Sequence, residues 1–453
     1  MEEIISRQRA FFNTHSTKEL SFRLEQLEKL GHVLTTHEQQ LNEAIFKDFK
    51  KSPIENYITE LALLLKEIKD IKNNLHYWAR KKRVATNLAN FPAASYLYPE
   101  PLGVCLVIGA WNYPYQLSFA PVIAAIAAGN TVVLKPSELP SHTSSLMATL
   151  VKDHFDPAFF TVVEGGVEAT TELLDQKFDK IFFTGSTKVG KIVYKAAAKN
   201  LTPVTLEMGG KSPAIIMKDA HLKMTVKRLI WAKFLNSGQT CIAPDYVMIE
   251  ESIEEEFLKL AKEEILSAKY AFENDNYVQI INESNFDRLV GLLDPDKIYY
   301  GGKTDKDNRY IQPTLMFNVT FEDAVMQEEI FGPLLPVIVF DKLDHAIDKI
   351  RSLPKPLSCY IFTRNKQTER KLLKELSFGG GAINEALMHI SNPHLPFGGV
   401  GNSGIGNYHG EAGFEAFSHY KSILKKPTWL ELPLKYPPYS SSKFRWLKRL
   451  MKL

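Results

Sequence analysis

The sequence predicts an α/β protein in which a helical segment precedes two successive parallel-sheet units. Three observations predict it. Residues 16–82 carry apolar positions at steps of three and four. From about residue 83 the pattern changes to short apolar runs ending in Gly, Ser or polar residues, with helical stretches between them, and this alternation restarts after Gly210.

Leu20, Leu24, Leu27 and Leu30, then Ile58, Leu61, Leu64, Ile68, Ile71 and Leu75, with charges between them, place amphipathic helices within residues 16–82. The runs GVCLVIGAW (103–111), NTVVLKPSE (130–138), FFTVVEGG (159–166) and KIFFTGS (180–186) read as short strands. The most apolar window, LSFAPVIAAIAAGNTVVL (117–134), is interrupted by Pro121, Gly129 and Asn130. It falls short of the roughly 20 apolar residues of a membrane span, so it reads as a buried helix, a turn and a strand. After Gly210 come SPAIIM, YVMIE, LPVIVF and LSCYIF, separated by helices such as 252–269. The last segment, KYPPYSSSKFRWLKRLMKL, breaks at Pro and Ser and then interleaves Lys and Arg with Phe444, Trp446, Leu447, Leu450 and Leu453. It has two readings, a surface or dimer-packing element and a basic amphipathic anchor at a membrane surface.

The chain has 453 residues, enough for two or three domains, with 45% hydrophobic and 24% charged residues. A formal charge of +3 gives no global sign of a nucleic-acid partner. Three cysteines, Cys105, Cys241 and Cys359, argue against a disulfide framework and for a reducing compartment, the cytosol by default. The N-terminus, MEEIISRQRAFF, lacks the apolar core of a signal peptide.

In a doubly wound sheet ligands sit beyond the carboxyl ends of the strands, which makes the polar residues there candidates. Asn112 ends a strand before Pro114, where its amide can donate to a developing oxyanion. Lys135 and Glu138, in KPSE, suit the hydroxyls of a ribose. LEMGGKSP (206–213) sets Glu207 before a Gly-Gly turn, and NSGQTCIAPDY (236–246) sets Cys241 in a polar loop. A lone cysteine is more often a small core hydrophobe, and Cys105 and Cys359, inside apolar runs, keep that reading. Cys241, in a polar loop, is the candidate nucleophile. QEEIFGP (327–333) offers Glu329 and Phe331, a carboxylate and a flat ring on a loop stiffened by Gly332 and Pro333. FFTGSTKVGKIV (182–193) matches G-x-x-x-x-G-K-[ST] at Gly185, Gly190 and Lys191 but has Ile192 where a metal-binding hydroxyl belongs.

With these motifs in order, and Glu207 lying 34 residues before Cys241, the chain resembles the NAD(P)-dependent aldehyde dehydrogenase superfamily over nearly its whole length, and most its class 3 branch. The runs that carry the resemblance also include PLGVCLVIGAWNYP, AAGNTVVLKPSE, MQEEIFGPLLP and LPFGGVGNSGIGNYHG. It implies a Rossmann-type cofactor domain (1–82 and 101–207), an α/β catalytic domain (208–395) and a bridging oligomerisation element with the C-terminal segment (83–100 and 396–453). By the same resemblance Cys241 is the nucleophile, Asn112 with the Cys241 N–H forms the oxyanion hole, and Glu207 activates water. Lys135 and Glu138 contact the adenosine ribose, Gly185 and Ser186 begin the pyrophosphate contact, and Gly190 lets the next helix approach. Glu329 holds the nicotinamide ribose, Phe331 flanks the ring, and Tyr113 walls the substrate pocket. Asn384 and the glycines of PFGGVGNSG are scaffold of the rim. The glycine loop then reads as a dinucleotide grip, with Ile192 a core residue of its helix.

The implied reaction is oxidation of medium- or long-chain aliphatic or aromatic aldehydes with NAD or NADP, without a metal, in a homodimer. Glu138 near the ribose favours NAD while leaving NADP activity measurable. Two rivals are a coenzyme A-acylating relative, which generally lacks a glutamate at position 207, and a catalytically silent binding protein of the same fold. A cysteine hydrolase would need a histidine partner, and none lies in the motifs around Cys241.

Overall fold

A computed structural model describes residues 1–271 and 275–451. The first sheet runs in the order Gly404–Ile405, Val204–Met208, Lys180–Gly185, Val104–Ile108, Thr131–Lys135, Phe160–Val162. All of its strands are parallel except Gly404–Ile405, which the sequence grouped with the bridging segment and which pairs antiparallel with Leu206 and Glu207. From the central strand Val104–Ile108 the chain steps outward to one side and then returns to build the other. The ends of Val104–Ile108 and Lys180–Gly185 therefore border a topological switch point, where a crevice opens. Every residue of Val104–Ile108 is buried, as expected for a strand covered on both faces.

The apolar window divides into helix, turn and strand. Gln116–Ala128 is buried along its whole length and stops at Gly129, whose φ of 92° few other residues adopt. Asn130 then ties the turn down, accepting from the Gly103 N–H and donating to the carbonyls of Ala125 and Phe417. The helix Leu20–Thr36 buries Leu27, Leu30, Val33 and Leu34, and Ala62–Trp78 buries Leu64, Ile68, Ile71 and Leu75. Ile58 departs from the expected stripe and is 49% exposed. It lies in the π-turn Tyr57–Leu61, whose extra residue rotates the apolar face between Ile58 and Leu61.

The second sheet runs Ile298–Tyr300, Thr314–Met316, Leu334–Phe340, Tyr246–Glu250, Pro213–Ile216, Ser358–Phe362, Gly380–Ile383, parallel except at its Ile298–Tyr300 edge. It contains all four apolar runs predicted after Gly210. A third, antiparallel sheet joins Lys82–Val84 to Ala94–Pro101 and Ala94–Pro101 to Ser418–Lys425, the last pair in continuous register from Ser418↔Pro101 to Lys425↔Ala94. The helix Ser441–Met451 follows, with Phe444, Trp446 and Met451 more than half exposed beside Lys443, Arg445, Lys448 and Arg449. Leu453 and the side chain of Leu450 lie outside the described residues.

Candidate active site

A cleft of about 600 Å³ opens at the carboxyl ends of the first sheet and is closed on its far side by loops of the second. Asn112, Lys135, Glu138, Gly185, Ser186, Glu207, Cys241, Glu329 and Phe331 all line it. The fold thus brings together residues spread over more than 200 positions of sequence.

Cys241 follows a loop of unusual backbone. After the helix Leu222–Phe234, Asn236 and Ser237 both take left-handed conformations, with φ of 54° and 53°, and Gly238 follows at 72°. Two consecutive left-handed residues other than glycine are costly, and such strain concentrates at functional sites. Hydrogen bonds hold the loop in place. The Gln239 side chain donates to the carbonyls of Asn236 and Gln279 and accepts from the Ile281 N–H. The Cys241 thiol is pushed up to about 12, first by burial and then by the charges of Glu329 and Glu207, against the downward pull of its own and the Ile242 N–H. Cys105 and Cys359 are buried in strands, as small hydrophobes are.

Glu207 lies on Val204–Met208 opposite Thr184 and is 3% exposed. Neither carboxyl oxygen has a hydrogen-bond partner, and burial alone raises its pKa well above the usual carboxylate range. Buried polar atoms without a protein partner mark places where water or a ligand belongs. Asn112, 2% exposed, donates one amide hydrogen to the Gln239 carbonyl at 2.9 Å.

Glu329 is raised to about 8, chiefly by burial and secondarily by Asp245, while the Gly210 N–H, Lys211 and Lys233 oppose the shift. Phe331 takes a left-handed φ of 51° and sets its ring edge-on to Trp111, centroids 5.3 Å apart, so an aromatic pair joins the two sides of the cleft. A Cβ on Gly238 would stand 2.3 Å from the Gly332 carbonyl oxygen, so the loop bearing Glu329 and Phe331 rests directly on the loop bearing Cys241.

The glycine loop ends at Ser186, the N-cap of the helix Thr187–Ala198, whose hydroxyl accepts from the Val189 N–H. Gly190 is buried against the strand: a Cβ there would stand 2.4 Å from Met208 Sδ. Ile192 is not a core residue. The helix buries Gly190, Val193 and Ala197, and Ile192 falls on another face, 55% exposed and lining the cleft with Val189 and Val167. Lys135 pairs with Glu138 at 3.0 Å, the lysine buried and the glutamate half exposed.

Tyr113 is absent from the cleft wall. Its ring is buried, with its hydroxyl 2.6 Å from Thr240 Oγ1 and the Lys51 ammonium 4.2 Å from the ring centroid. The cleft wall also includes Trp111, Phe397 and Tyr408, which the sequence reading did not assign. Behind the Glu329 loop, Lys211 and Asp245 form an ion pair at 2.6 Å, and Asp245 accepts from the Ile330 N–H at 3.0 Å. All of these residues stand inside motif runs, but only their packing shows what they support. Asn384 bonds both backbone groups of Thr363 through its amide, a scaffold contact.

A switch-point crevice with a capped helix N-terminus, together with a thiol, an unpaired carboxyl and a side-chain amide on one cleft, fits a dinucleotide-dependent oxidoreductase. Residues 1–423 match the model of the aldehyde dehydrogenase family, and the chain belongs to that family. The 4,4'-diaponeurosporen-aldehyde dehydrogenase of Staphylococcus aureus is 46% identical, covering 98% of this chain and 97% of its own. The dimeric NADP-preferring aldehyde dehydrogenase of Mus musculus is 44% identical, covering 97% and 98%, in keeping with the class 3 branch. A substrate-bound structure of the Staphylococcus aureus enzyme AldH superposes with a TM-score of 0.97 at 45% identity over 99% of both chains. An NAD-complexed aldehyde dehydrogenase of Mycobacterium tuberculosis gives 0.85 at 25% identity, covering 94% and 90%. The protein is accordingly an NAD(P)-dependent aldehyde dehydrogenase.

Proposed function

We propose that the protein oxidises apolar aldehydes to carboxylic acids through a covalent intermediate on Cys241. The observation that carries this reading is the shared cleft of the Cys241 thiol, the Asn112 amide and the partnerless Glu207 carboxyl. As thiolate, Cys241 adds to the aldehyde carbonyl, and the remaining Asn112 amide hydrogen with the Cys241 N–H receives the oxyanion of the thiohemiacetal. Bound NAD or NADP supplies the hydride acceptor that makes oxidation to the thioester possible. Glu207 takes a proton from water as the water attacks the thioester, and the thiolate leaves with the carboxylic acid as product. A carboxyl oxygen that lacks a protein partner has room for that water, which supports hydrolysis over transfer to coenzyme A.

The cofactor fits the residues present. The N-terminus of Thr187–Ala198 offers backbone N–H groups to a pyrophosphate, and Val167, Val189 and Ile192 offer an exposed apolar wall to a flat base. Lys135 and Glu138 would meet the adenosine ribose, Glu329 the nicotinamide ribose, and Phe331 the ring. NAD is preferred and NADP used. Leu117, Phe397 and Tyr408 on the same cleft favour medium- or long-chain aliphatic or aromatic aldehydes over small polar ones. The chain would pair with a second copy through its exposed antiparallel sheet, and work in the cytoplasm. Its basic C-terminal helix, with exposed Phe444 and Trp446, would touch anionic membrane surfaces; among the described residues no helix is long and apolar enough to cross a membrane.

The test is a panel of aldehydes of increasing chain length, assayed with NAD and with NADP, beside Cys241→Ala. The variant should lose oxidation while keeping its NAD affinity, and activity that survives the change would refute the mechanism.

A further inference from the structure

A buried ion pair lies under the two loops that carry Asn112 and Cys241. Lys51 and Glu60 meet at 2.8 Å, both with fully buried side chains. Taking two charges out of water is expensive, and such a pair is weak evidence for stability in itself. What it holds is therefore the informative question. Glu60 sits in the π-turn Tyr57–Leu61, and π-turns inside helices recur at functional sites. Its second oxygen accepts from the N–H groups of Tyr115 and Gln116, at 2.8 and 3.2 Å, which fixes the start of the helix just after Asn112. Lys51 donates to the Asn112 carbonyl at 3.4 Å and lies over the Tyr113 ring.

The nucleophile loop is tied to the same point. Asn236 Nδ2 donates to the carbonyls of Asn112 and Gln239, at 3.0 and 3.1 Å, while Asn112 Nδ2 donates to the Gln239 carbonyl at 2.9 Å. These three bonds close a ring through Asn112, Asn236 and Gln239. On the other side Glu55, from the same helical stretch as Glu60, accepts from the Asn236 N–H at 2.8 Å, which helps hold that residue in its left-handed conformation.

We propose that Lys51 and Glu60, with Glu55, are positioning residues that fix the Asn112 amide against the Cys241 loop at oxyanion distance. This rests on the roles given above to Asn112 and Cys241. The pair does no chemistry itself; it supplies a rigid reference for two loops that come from different sheets and share no covalent neighbour. Misplacing catalytic groups by about 1 Å can cost on the order of 100-fold in rate.

Lys51→Met alone leaves the Glu60 charge buried without its partner and can fail to fold, so the variant to use is Lys51→Met/Glu60→Gln, which removes both charges. With benzaldehyde and NAD, kcat should fall at least about tenfold. NADH affinity, read by fluorescence, should stay within about twofold, and Cys241 alkylation by iodoacetamide in the cofactor-free protein should change in rate because its loop has moved. A folded double variant with kcat and alkylation rate both near wild type, and only a lower melting temperature, shows a merely structural pair and overturns the inference. If the wild-type chain oxidises no aldehyde at all, the functional reading fails; if the wild type is active and the double variant equally so, the positioning role alone fails.

Discussion

A Cβ on Gly209 would stand 2.1 Å from one oxygen of Glu329 and 2.4 Å from the other, so the carboxyl of Glu329 occupies the space that Gly209 leaves empty. Gly209 directly follows the strand that carries Glu207, and Glu329 comes from the loop that rests on the loop bearing Cys241. The Gly-Gly turn therefore does more than turn the chain. It admits one side of the cleft to the other and sets the burial that governs how Glu329 titrates.

That burial makes stability depend on pH in a definite direction. Glu329 is raised from its ordinary 4.5 to about 8. In that interval the folded cofactor-free protein holds a proton that the unfolded chain has released. The stability it contributes is fully present below the unfolded value and is lost as pH rises through about 8. Glu329→Gln removes the dependence. Thermal melts from about pH 5 to pH 9 should show the variant gaining on the wild type as pH rises, and melting curves that fall in parallel would contradict the assignment.

The same carboxyl affects the thiol. With Cys241 pushed up to about 12, its alkylation in the cofactor-free protein should keep accelerating beyond the pH where an ordinary thiol levels off, near 8.5. Of the two neighbouring charges Glu329 acts more strongly than Glu207, so Glu329→Gln should raise the alkylation rate at a fixed pH above about 8, where the wild-type carboxyl is ionised. Unchanged or slower alkylation would show that the two groups do not communicate.

Replacing Glu207→Gln separates the two halves of the reaction. The thioester should form and then wait for water, giving a burst of NADH of up to one per active site followed by turnover slowed by roughly 10²- to 10⁴-fold. Loss of the burst itself would place Glu207 before the hydride step.

The helix after the glycine loop offers a paired test of facing. Ile192→Asp sets a charge on an exposed, cleft-lining position and should weaken NAD and NADP binding at least about tenfold while the protein stays folded. Val193→Asp, fully buried, should cost several kcal/mol and the fold with it. Equal damage from both would return Ile192 to the core.

Glu138 and Lys135 form one unit at 3.0 Å, so the charge that would repel a 2′-phosphate is partly neutralised. Glu138→Ser should leave the lysine free to attract that phosphate and raise NADP use relative to NAD by about tenfold, measured as the ratio of kcat/KM values. A ratio that does not move would remove Glu138 from cofactor choice.

Much of the architecture is legible in the chain because it is written as local periodicity. The stripe Leu61, Leu64, Ile68, Ile71 and Leu75 repeats at helical steps and is buried at each of them, and the apolar runs ending in Gly or polar residues became the buried strands of two sheets. Where a local irregularity intervened, periodicity misled. The π-turn put Ile58 outside a stripe to which its spacing assigned it, and two positions past Gly190 is far enough round a helix to bring Ile192 from core to cleft.

The groups proposed for the chemistry, Cys241, Glu207 and Asn112, stand in motif runs whose order and spacing can be read without coordinates. Tertiary structure decided how they meet. Which side of its loop Tyr113 turns to, that Gly404–Ile405 closes the first sheet beside Glu207, and that Lys51 and Glu60 lie beneath Asn112 all depend on contacts between distant segments. The physical reason is that strand and helix periods are set by neighbours a few residues away. The desolvation that raises Cys241, Glu207 and Glu329, by contrast, exists only once two sheets close over one cleft.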